Sequence, residues 1–203
     1  VERSAGLLQE TEDARLLALR QHLDPHFLFN TLGAIAEWCR EDPLVAERAL
    51  LELSTMLRTL FDGIRTPLWP IAREVEVLLA LQRLYALRDD ERYVLDADLA
   101  ALSSAEMFDV PPLVLLPLFE NALTHGAAGA PMRLRLSVVD DALHVTLWNA
   151  GEYRGRRAGG TGIDTAERRL RIAFGGDATL VVAAEAHDGV PGTRTRVVIT
   201  ATQ

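Results

Sequence analysis

The chain has 203 residues, a formal net charge of −8 and a hydrophobic fraction of 49%, which is typical of a globular protein with a substantial core. All 21 basic residues are arginine, so the lysine of a Walker-type phosphate loop or of a Schiff base is absent. The negative charge argues against a surface for duplex nucleic acid, and the single cysteine excludes an intramolecular disulfide.

Residues 1–66 are predicted to be helical, because apolar residues recur at steps of three and four. The stripe consists of Leu16, Leu19, Leu23, Phe27, Asn30, Ala34 and Trp38. A stripe this long and narrow suits a helical hairpin that pairs with itself or with another helix. Asp42 followed by Pro43 predicts a break and a second start, with Asp42 as the N-cap and Pro43 at the first helical position.

One dipeptide in this stretch stands out, Pro25-His26. Proline inside a helix costs about 3 kcal/mol, so a sequence that tolerates it beside a titratable side chain suggests that the side chain is used. Position alone leaves two interpretations open for His26. It is either a histidine packed at a kink, or a nucleophile whose neutral imidazole nitrogen attacks a phosphoryl group.

The rest of the chain mixes helices with alternating segments that predict strands. A third helix is expected over residues 71–88, and Asp140-Asp141 predicts a hairpin turn. The further predictions are strands at 92–99, 133–139, 142–148, 179–184 and 194–200, a buried helix at 111–126, a glycine-rich loop at 150–162 and a short helix at 164–174. An all-helical half is thus followed by an α+β half.

The predicted helix 111–126 ends in polar residues although it is otherwise apolar enough to be core. These residues are Glu120, Asn121, Thr124 and His125. Burying several polar groups without partners is costly, so we expect them to face a cleft. An asparagine carbonyl oxygen is a suitable ligand for Mg²⁺. Ordinary capping of the helix end by Asn121, His125 and Gly126 is the alternative interpretation.

Glycines follow a predicted strand and precede a helix, from Asn149-Ala150-Gly151 to Gly159-Gly160-Thr161-Gly162. Glycines at such a place let backbone amides approach phosphate oxygens, although by themselves they are better explained as a plain flexible loop. Arg154, Arg156 and Arg157 in the same loop favour an anionic ligand. Gly192-Thr193, before the last strand, indicates by itself only a turn.

In this order, the motifs resemble those of sensor histidine kinases of the LytS/YehU type. Pro25 to Asn30 matches the phosphoacceptor motif Pro-His-Phe-Leu-Phe-Asn of that family without a mismatch. Residues 111–126 resemble its asparagine-bearing box, and the glycines around Gly160 and Gly192 resemble its glycine boxes. The catalytic domain of the family belongs to the GHKL superfamily, which unites gyrase, heat-shock chaperone, histidine kinase and MutL ATPases.

The resemblance implies an α+β fold with two parts. Residues 1–66 would form a helical hairpin for dimerisation and phosphate acceptance. Residues 67–203 would form an α/β-sandwich ATP-binding domain of the GHKL (Bergerat) type, in which 67–90 is the joining helix.

The resemblance also implies roles for individual residues. His26 would take the γ-phosphoryl group of ATP, and Asn121 would coordinate Mg²⁺. Glu120 stands where related ATPases hold a general base, so it is grouped with His26 and Asn121 as catalytic. Nucleotide contacts would come from Asn121, His125, Asn149, Gly151, Gly160, Thr161, Gly162 and Thr193. Asn149 replaces a common aspartate, and its carbonyl oxygen can still accept a hydrogen bond from the adenine amino group.

Partners and location follow from the same resemblance. We expect ATP and Mg²⁺ as cofactors, a homodimer, and a response-regulator receiver domain whose aspartate takes the phosphoryl group. No nucleic acid is expected, and the chain would be the cytoplasmic portion of a sensor anchored through a possible upstream membrane segment. Two alternatives remain open. One is a pseudokinase-like nucleotide-binding dimer that signals by conformation, and the other is an ATP-hydrolysing relative without a phosphoacceptor, against which the intact His26 motif argues.

Overall fold

The computed structural model of the chain describes residues 25–63, 66–153, 155 and 161–201. Predictions for residues 1–24 and for Arg154, Arg156, Arg157, Gly159 and Gly160 lie outside this part. In chain order, the elements are α1 (Pro25–Glu41), α2 (Pro43–Gly63), β1 (Trp69–Pro70), α3 (Ile71–Ala86), β2 (Leu95–Asp98), β3 (Asp109–Val110), α4 (Leu116–His125), β4 (Met132–Val139), β5 (Ala142–Ala150), α5 (Thr161–Phe174), β6 (Ala178–Ala184) and β7 (Gly192–Thr200).

The helical hairpin turns at Asp42, as the sequence predicts. The side-chain oxygen Oδ1 of Asp42 accepts hydrogen bonds from the backbone N–H groups of Leu44 at 3.1 Å and Val45 at 3.2 Å. These are donors that the first turn of a helix leaves without partners, and Pro43 at the first position needs none. The predicted N-cap is therefore confirmed.

One side of α2 is buried within the chain. Its buried residues alternate in steps of three and four: Ala46, Ala49, Leu53, Met56 and Leu60. This spacing places them on one stripe, which packs against α1 and α3. On α1 the buried side includes Thr31 and Ile35, whereas Ala34 from the predicted stripe is only half-buried. Trp38, the next member of the predicted stripe, packs against the same core, and the side chains of Phe27 and Asn30 lie outside the described part.

The second half is built on a five-stranded sheet of order β2-β4-β5-β7-β6. Strand β2 runs parallel to β4, and all other neighbours are antiparallel. Asp140 and Asp141, with φ angles of 50° and 57°, form the tight turn between β4 and β5. This confirms the predicted hairpin.

The sheet has one apolar and one polar face, because side chains alternate along each strand. Helices α4 and α5 contact β5 and β6 and cover the apolar face. The buried residues of that face include Leu134, Leu136, Leu143, Val145, Leu147, Val197 and Ile199. Arg135, Thr146 and Arg196 occupy matching positions on the opposite face of β4, β5 and β7. The predicted α+β sandwich is confirmed.

The predicted helix 111–126 begins only at Leu116. The preceding residues form a turn in which Leu113 has a φ of 62°, a conformation that a leucine side chain disfavours. Strands β1 and β3, which pair Trp69 with Val110, were not predicted because two residues are too few to show a period. The strand predicted at 92–99 spans only Leu95–Asp98.

None of the helices in the described part of the chain combines the length and the hydrophobicity that crossing a membrane requires.

Candidate functional site

The polar residues of α4 share one side of the helix. Glu120 and Asn121 are half-buried and Thr124 is exposed. Glu120 and Asn121 follow Pro117 by three and four residues and Thr124 follows it by seven, which places all of them on one face. The opposite face carries Leu116, Leu118, Phe119, Ala122 and Leu123, all of which are buried. The polar residues thus lie on the side of α4 away from its buried apolar face, and the expectation that they face a cleft stays a prediction.

The end of α4 is joined to the end of β5. The backbone N–H of Ala127 donates to the carbonyl oxygen of Ala150 at 2.9 Å. Gly151 has a φ of 128°, and a Cβ placed on it would lie 3.3 Å from the carbonyl oxygen of His125. A side chain at Gly151 would thus strain the backbone and press against the helix end. Glycine lets the chain turn closely around His125.

Asn149 and Thr193 face each other across β5 and β7 as registered partners. Asn149 is 6% exposed, and Thr193 is half-buried. The side-chain nitrogen Nδ2 of Asn149 donates to the carbonyl oxygen of Ala150 at 3.3 Å. Its oxygen Oδ1 is then the group suited to accept a hydrogen bond from a ligand.

The first turn of α5 lies beside the first turn of α4. A Cβ placed on Gly162 would lie 3.2 Å from the Cβ of Pro117, so a side chain there would force the two helices apart. Thr161 opens α5, although its side chain is outside the described part. The structure thus brings Gly162 to the start of the helix that carries Asn121, and Gly151 and Asn149 to its end, with Thr193 opposite Asn149 on β7. These four residues come from three separate sequence motifs.

His26 lies in the first turn of α1. The side chain of His26 is outside the described part of the structure, so no distance from it to α4 is given.

Glu74 on α3 holds the turn before α4, a role that the sequence motifs did not indicate. Its carboxylate is fully buried. It accepts hydrogen bonds from Trp69 Nε1 at 2.9 Å, from the Leu113 N–H at 2.8 Å and from the Leu115 N–H at 2.6 Å. One signal was available, because Glu74 lies three residues after Ile71 and therefore on the apolar side of α3.

The pKa of Glu74 reflects a balance of opposing effects. Burial removes water from the charged form and raises the pKa from 4.5 to about 7. The hydrogen bonds from Leu115, Leu113 and Trp69 act against this rise, and so does the positive charge of Arg169 on α5. Because Arg169 is itself partly buried, desolvation lowers its own pKa. The carboxylate is therefore held close to its titration point at neutral pH.

A second feature that the sequence analysis missed fixes β7 next to Asn149. A Cβ placed on Gly192 would lie 2.5 Å from atoms of the Trp148 indole. The indole Nε1 donates to the carbonyl oxygen of Glu185 at 3.0 Å, which holds the ring over the glycine. Gly192, which by itself predicted only a turn and by resemblance a glycine box, is thus required by close packing.

No group of three or more histidine, cysteine, aspartate or glutamate side chains in the described residues could hold a metal ion. Mg²⁺ does not need such a group when a nucleotide is present, because it keeps several waters and takes oxygen ligands from phosphates. One amide oxygen, as on the half-buried Asn121, is a sufficient protein ligand of that kind.

Comparison with known proteins agrees with these motifs. A sequence model of the histidine kinase family matches residues 14–93. The chain is 30% identical to the sensor protein LytS of Bacillus subtilis. The match covers 88% of this chain and 33% of LytS. It is 29% identical to the sensor histidine kinase BtsS of Escherichia coli K12 over 98% of its length, 34% of that protein. The histidine kinase domain of the Erythrobacter litoralis EL346 blue-light activated kinase covers 92% of the chain, with 18% identity and a TM-score of 0.48.

Residues 14–93 therefore match the histidine kinase family. The chain as a whole is similar to sensor proteins of the LytS type. It spans about a third of the length of the curated relatives that it matches, 33% of the Bacillus subtilis protein and 34% of the Escherichia coli one.

Proposed function

We propose that this chain is the kinase portion of a two-component sensor, which phosphorylates itself on His26 from ATP. The observation that supports this most directly is the convergence of separate motifs around α4. Gly151 meets the end of α4 at His125, and Gly162 meets its start at Pro117. Residues 14–93, which match the histidine kinase family, include the motif that carries His26.

The reaction follows from the chemistry of imidazole and phosphate. A neutral imidazole nitrogen of His26 would attack the γ-phosphorus of ATP, a P–N bond would form, and the bond to the bridging oxygen of ADP would break. The ring would lose its N–H proton to water. An aspartate oxygen of a response regulator would then attack the phosphorus, the P–N bond would break, and the imidazole would regain a proton.

The nucleotide would lie beside the polar face of α4. Asn121 would contribute its amide oxygen to Mg²⁺, and Glu120 beside it would orient the attacking group. Oδ1 of Asn149 would accept a hydrogen bond from the adenine amino group, with Thr193 beside it on β7. Backbone amides of the glycines around Gly160 and Gly162, together with Thr161, would approach the phosphates at the N-terminus of α5. Bound Mg²⁺ would neutralise charge on the phosphates.

We also propose that residues 1–66 form the dimerisation hairpin and residues 67–203 the catalytic domain. Apart from its buried stripe, α2 carries a second apolar stripe that includes Leu50, Leu57 and Phe61 and borders an open groove. Leu50 is 48% and Phe61 53% exposed, and Phe29 on α1 is 73% exposed. A second copy of the hairpin would cover these side chains and form a four-helix arrangement.

The partners and the location of the protein are part of the same proposal. The receiver domain of a response regulator would take the phosphoryl group. The kinase portion would act in the cytoplasm, with any membrane segment upstream of this chain.

One labelling experiment tests the proposal. The chain is incubated with γ-³²P-ATP and Mg²⁺, with His26→Gln and Asn121→Ala beside it and His144→Gln as a matched control on the outer face of the sheet. We expect acid-labile, base-stable label on the unmodified chain and on the control. We expect label to fall at least ~100-fold in the two site variants. His26→Gln removes the proposed phosphoacceptor, and Asn121→Ala removes the proposed ligand of Mg²⁺.

The outcomes separate the candidate functions. Label that survives His26→Gln would contradict the assignment of the phosphoacceptor. Absence of label in the unmodified chain, with measurable binding of Mg·ATP, would show a nucleotide-binding protein without phosphotransfer.

A further inference from the structure

The start of α4 is unusual because the helix is not capped by its own residues. Its N-cap position is Leu115, which has no side-chain acceptor, and Pro117 stands in the first turn. The N–H groups at a helix start need acceptors, because no residue within the helix can provide them. Here the acceptor for the Leu115 N–H is Oε1 of Glu74, which belongs to a different helix.

The turn before α4 also depends on Glu74. Leu113 holds a φ of 62°, which costs a leucine about 1–2 kcal/mol. Its N–H donates to Oε2 of Glu74 at 2.8 Å, and the same oxygen accepts from Trp69 Nε1 at 2.9 Å. Hydrogen bonds to a charged acceptor are stronger than neutral ones, so the carboxylate offsets the strain of the turn. A negative charge close to the N-terminus of α4 is favourable as well.

Both carboxylate oxygens are therefore occupied by N–H donors. Neither can carry a proton without weakening at least one of these bonds, because a protonated oxygen must direct its own hydrogen toward an acceptor. A glutamine at this position would place an NH₂ donor against an N–H donor. The pocket is thus complementary to the ionised carboxylate.

The charged and titratable surroundings of Glu74 are few in the described structure. Arg169 on α5 is the charged group that acts on it, and Trp69 and the two backbone N–H groups complete the contacts. Through these contacts the first turn of α3 touches the turn before α4. The positive charge of Arg169 on α5 acts on the same carboxylate.

We infer that Glu74 is a positioning residue for the nucleotide reaction: it fixes the start of α4 and thereby the orientation of Glu120 and Asn121. This inference rests on the proposed function, since it assumes that α4 binds the nucleotide. Glu74 touches neither nucleotide nor phosphate; it acts through the backbone of residues 113–115. It also ties the site to the joining helix, so a displacement of α3 would move the nucleotide-binding helix.

Binding of Mg·ADP by calorimetry at pH 8 tests the inference, with Glu74→Gln compared with Glu76→Gln. Glu76 lies on the same helix and is exposed, so its substitution removes the same charge without touching the turn. We expect Glu74→Gln to weaken Mg·ADP binding about tenfold, the effect of losing one charge-assisted hydrogen bond. We expect Glu76→Gln to bind as the unmodified chain does.

The pH profile distinguishes positioning from a general loss of structure. In the unmodified chain, Mg·ADP affinity divided by that of Glu74→Gln should fall as pH decreases from 8 to 6, because protonation of Glu74 loosens the turn. Trp69→Phe removes one of the donors that lower the pKa of Glu74. The Mg·ADP affinity of Trp69→Phe, measured against pH, should therefore have its midpoint at a higher pH than that of the unmodified chain. This comparison of two variants that both keep Glu74 is available even if Glu74→Gln does not fold.

Amide hydrogen exchange gives the local measurement. Leu113 and Leu115 should exchange faster in Glu74→Gln than in Glu76→Gln. A folded Glu74→Gln variant that binds Mg·ADP as tightly as the unmodified chain at pH 8 would overturn the inference and leave the proposed function intact. Absence of Mg·ADP binding in the unmodified chain and in Glu76→Gln would overturn the proposed function and the inference with it.

Discussion

The hairpin of α1 and α2 differs from the sandwich that follows it in how many of its apolar residues are buried within the chain. The hairpin buries one stripe inside the chain and leaves a second exposed, including Leu50 at 48% and Phe61 at 53%. The sandwich buries its apolar sheet face under its own helices, with Leu134 and Leu143 fully covered. The sandwich thus has a complete core within one chain, whereas the hairpin presents a surface that a second copy can cover.

The largest expected effect concerns self-association of the hairpin. Replacing Leu50 and Phe61 together by glutamate should weaken dimerisation at least ~100-fold, because like charges would meet in a desolvated interface. Light scattering should show half the mass of the unmodified chain, while circular dichroism stays the same. Val181→Glu is the control, since Val181 is 51% exposed but lies on the sandwich. If that control dissociates the dimer equally well, the interface has been assigned to the wrong region.

The sandwich should be most sensitive at Gly192. Gly192→Ala would place a Cβ 2.5 Å from the Trp148 ring, and overpacking of this kind should lower the free energy of unfolding by about 2–3 kcal/mol. Gly176→Ala meets no atom within 4 Å and should change it by less than about 0.5 kcal/mol. Urea denaturation of both variants measures the difference. Equal stability of the two would contradict the packing role of Gly192.

The pH dependence of stability should reveal Glu74. Its pKa is 4.5 in the unfolded chain and about 7 in the fold. A raised pKa means that the folded state holds the proton more tightly, so this contribution is fully present below pH 4.5 and is lost as pH rises through 7. Between pH 5 and 8, the unmodified chain should lose about 2 kcal/mol relative to Glu74→Gln.

Ionisation of Glu74 is thus expected to lower the stability of the fold as pH rises, whereas it is expected to strengthen nucleotide binding. The ionised carboxylate binds the turn more strongly but costs the fold the desolvation of a charge. Urea denaturation at several pH values, with Glu76→Gln as reference, measures the effect on stability. Parallel stability curves for the unmodified chain and Glu74→Gln would show that Glu74 does not titrate in this range.

The smallest expected effect lies at the turn of the hairpin. Asp42→Ala removes the acceptor for the Leu44 and Val45 N–H groups and should lower the free energy of unfolding by about 1 kcal/mol. Asp42→Asn keeps an acceptor oxygen and should stay close to the unmodified chain. Thermal unfolding by circular dichroism compares the two, and a loss of equal size in both would argue against capping as the cause.

The sequence predicted well those elements whose period is long or whose turns have a specific chemistry. The Asp42 cap and the Asp140-Asp141 hairpin depend on neighbouring residues, so local signals were sufficient. The start of the helix predicted at 111 depends instead on Glu74, about forty residues earlier, and on a positive φ at Leu113. No local pattern reports such a contact, so the boundary was placed too early.

The candidate site was accessible to sequence analysis only as separate motifs. The resemblance grouped Asn121, Asn149, Gly162 and Thr193. The structure places Gly162 and Asn149 at the two ends of α4, which carries Asn121, and Thr193 opposite Asn149. What the sequence did not show was the packing reason for the glycines at 162 and 192. Gly162 packs against Pro117 and Gly192 packs against Trp148, and both neighbours lie far away in the chain.

The position of β7 has a consequence for the order in which the protein folds. This strand, Gly192–Thr200, comes last among the strands yet lies inside the sheet, between β5 and β6. During synthesis, β5 and β6 emerge from the ribosome before the strand that joins them. Until Gly192 to Thr200 has been made, Asn149 has no Thr193 opposite it. A nascent chain therefore cannot complete the pairing of Asn149 with Thr193, and with it the proposed nucleotide site, until the sheet closes.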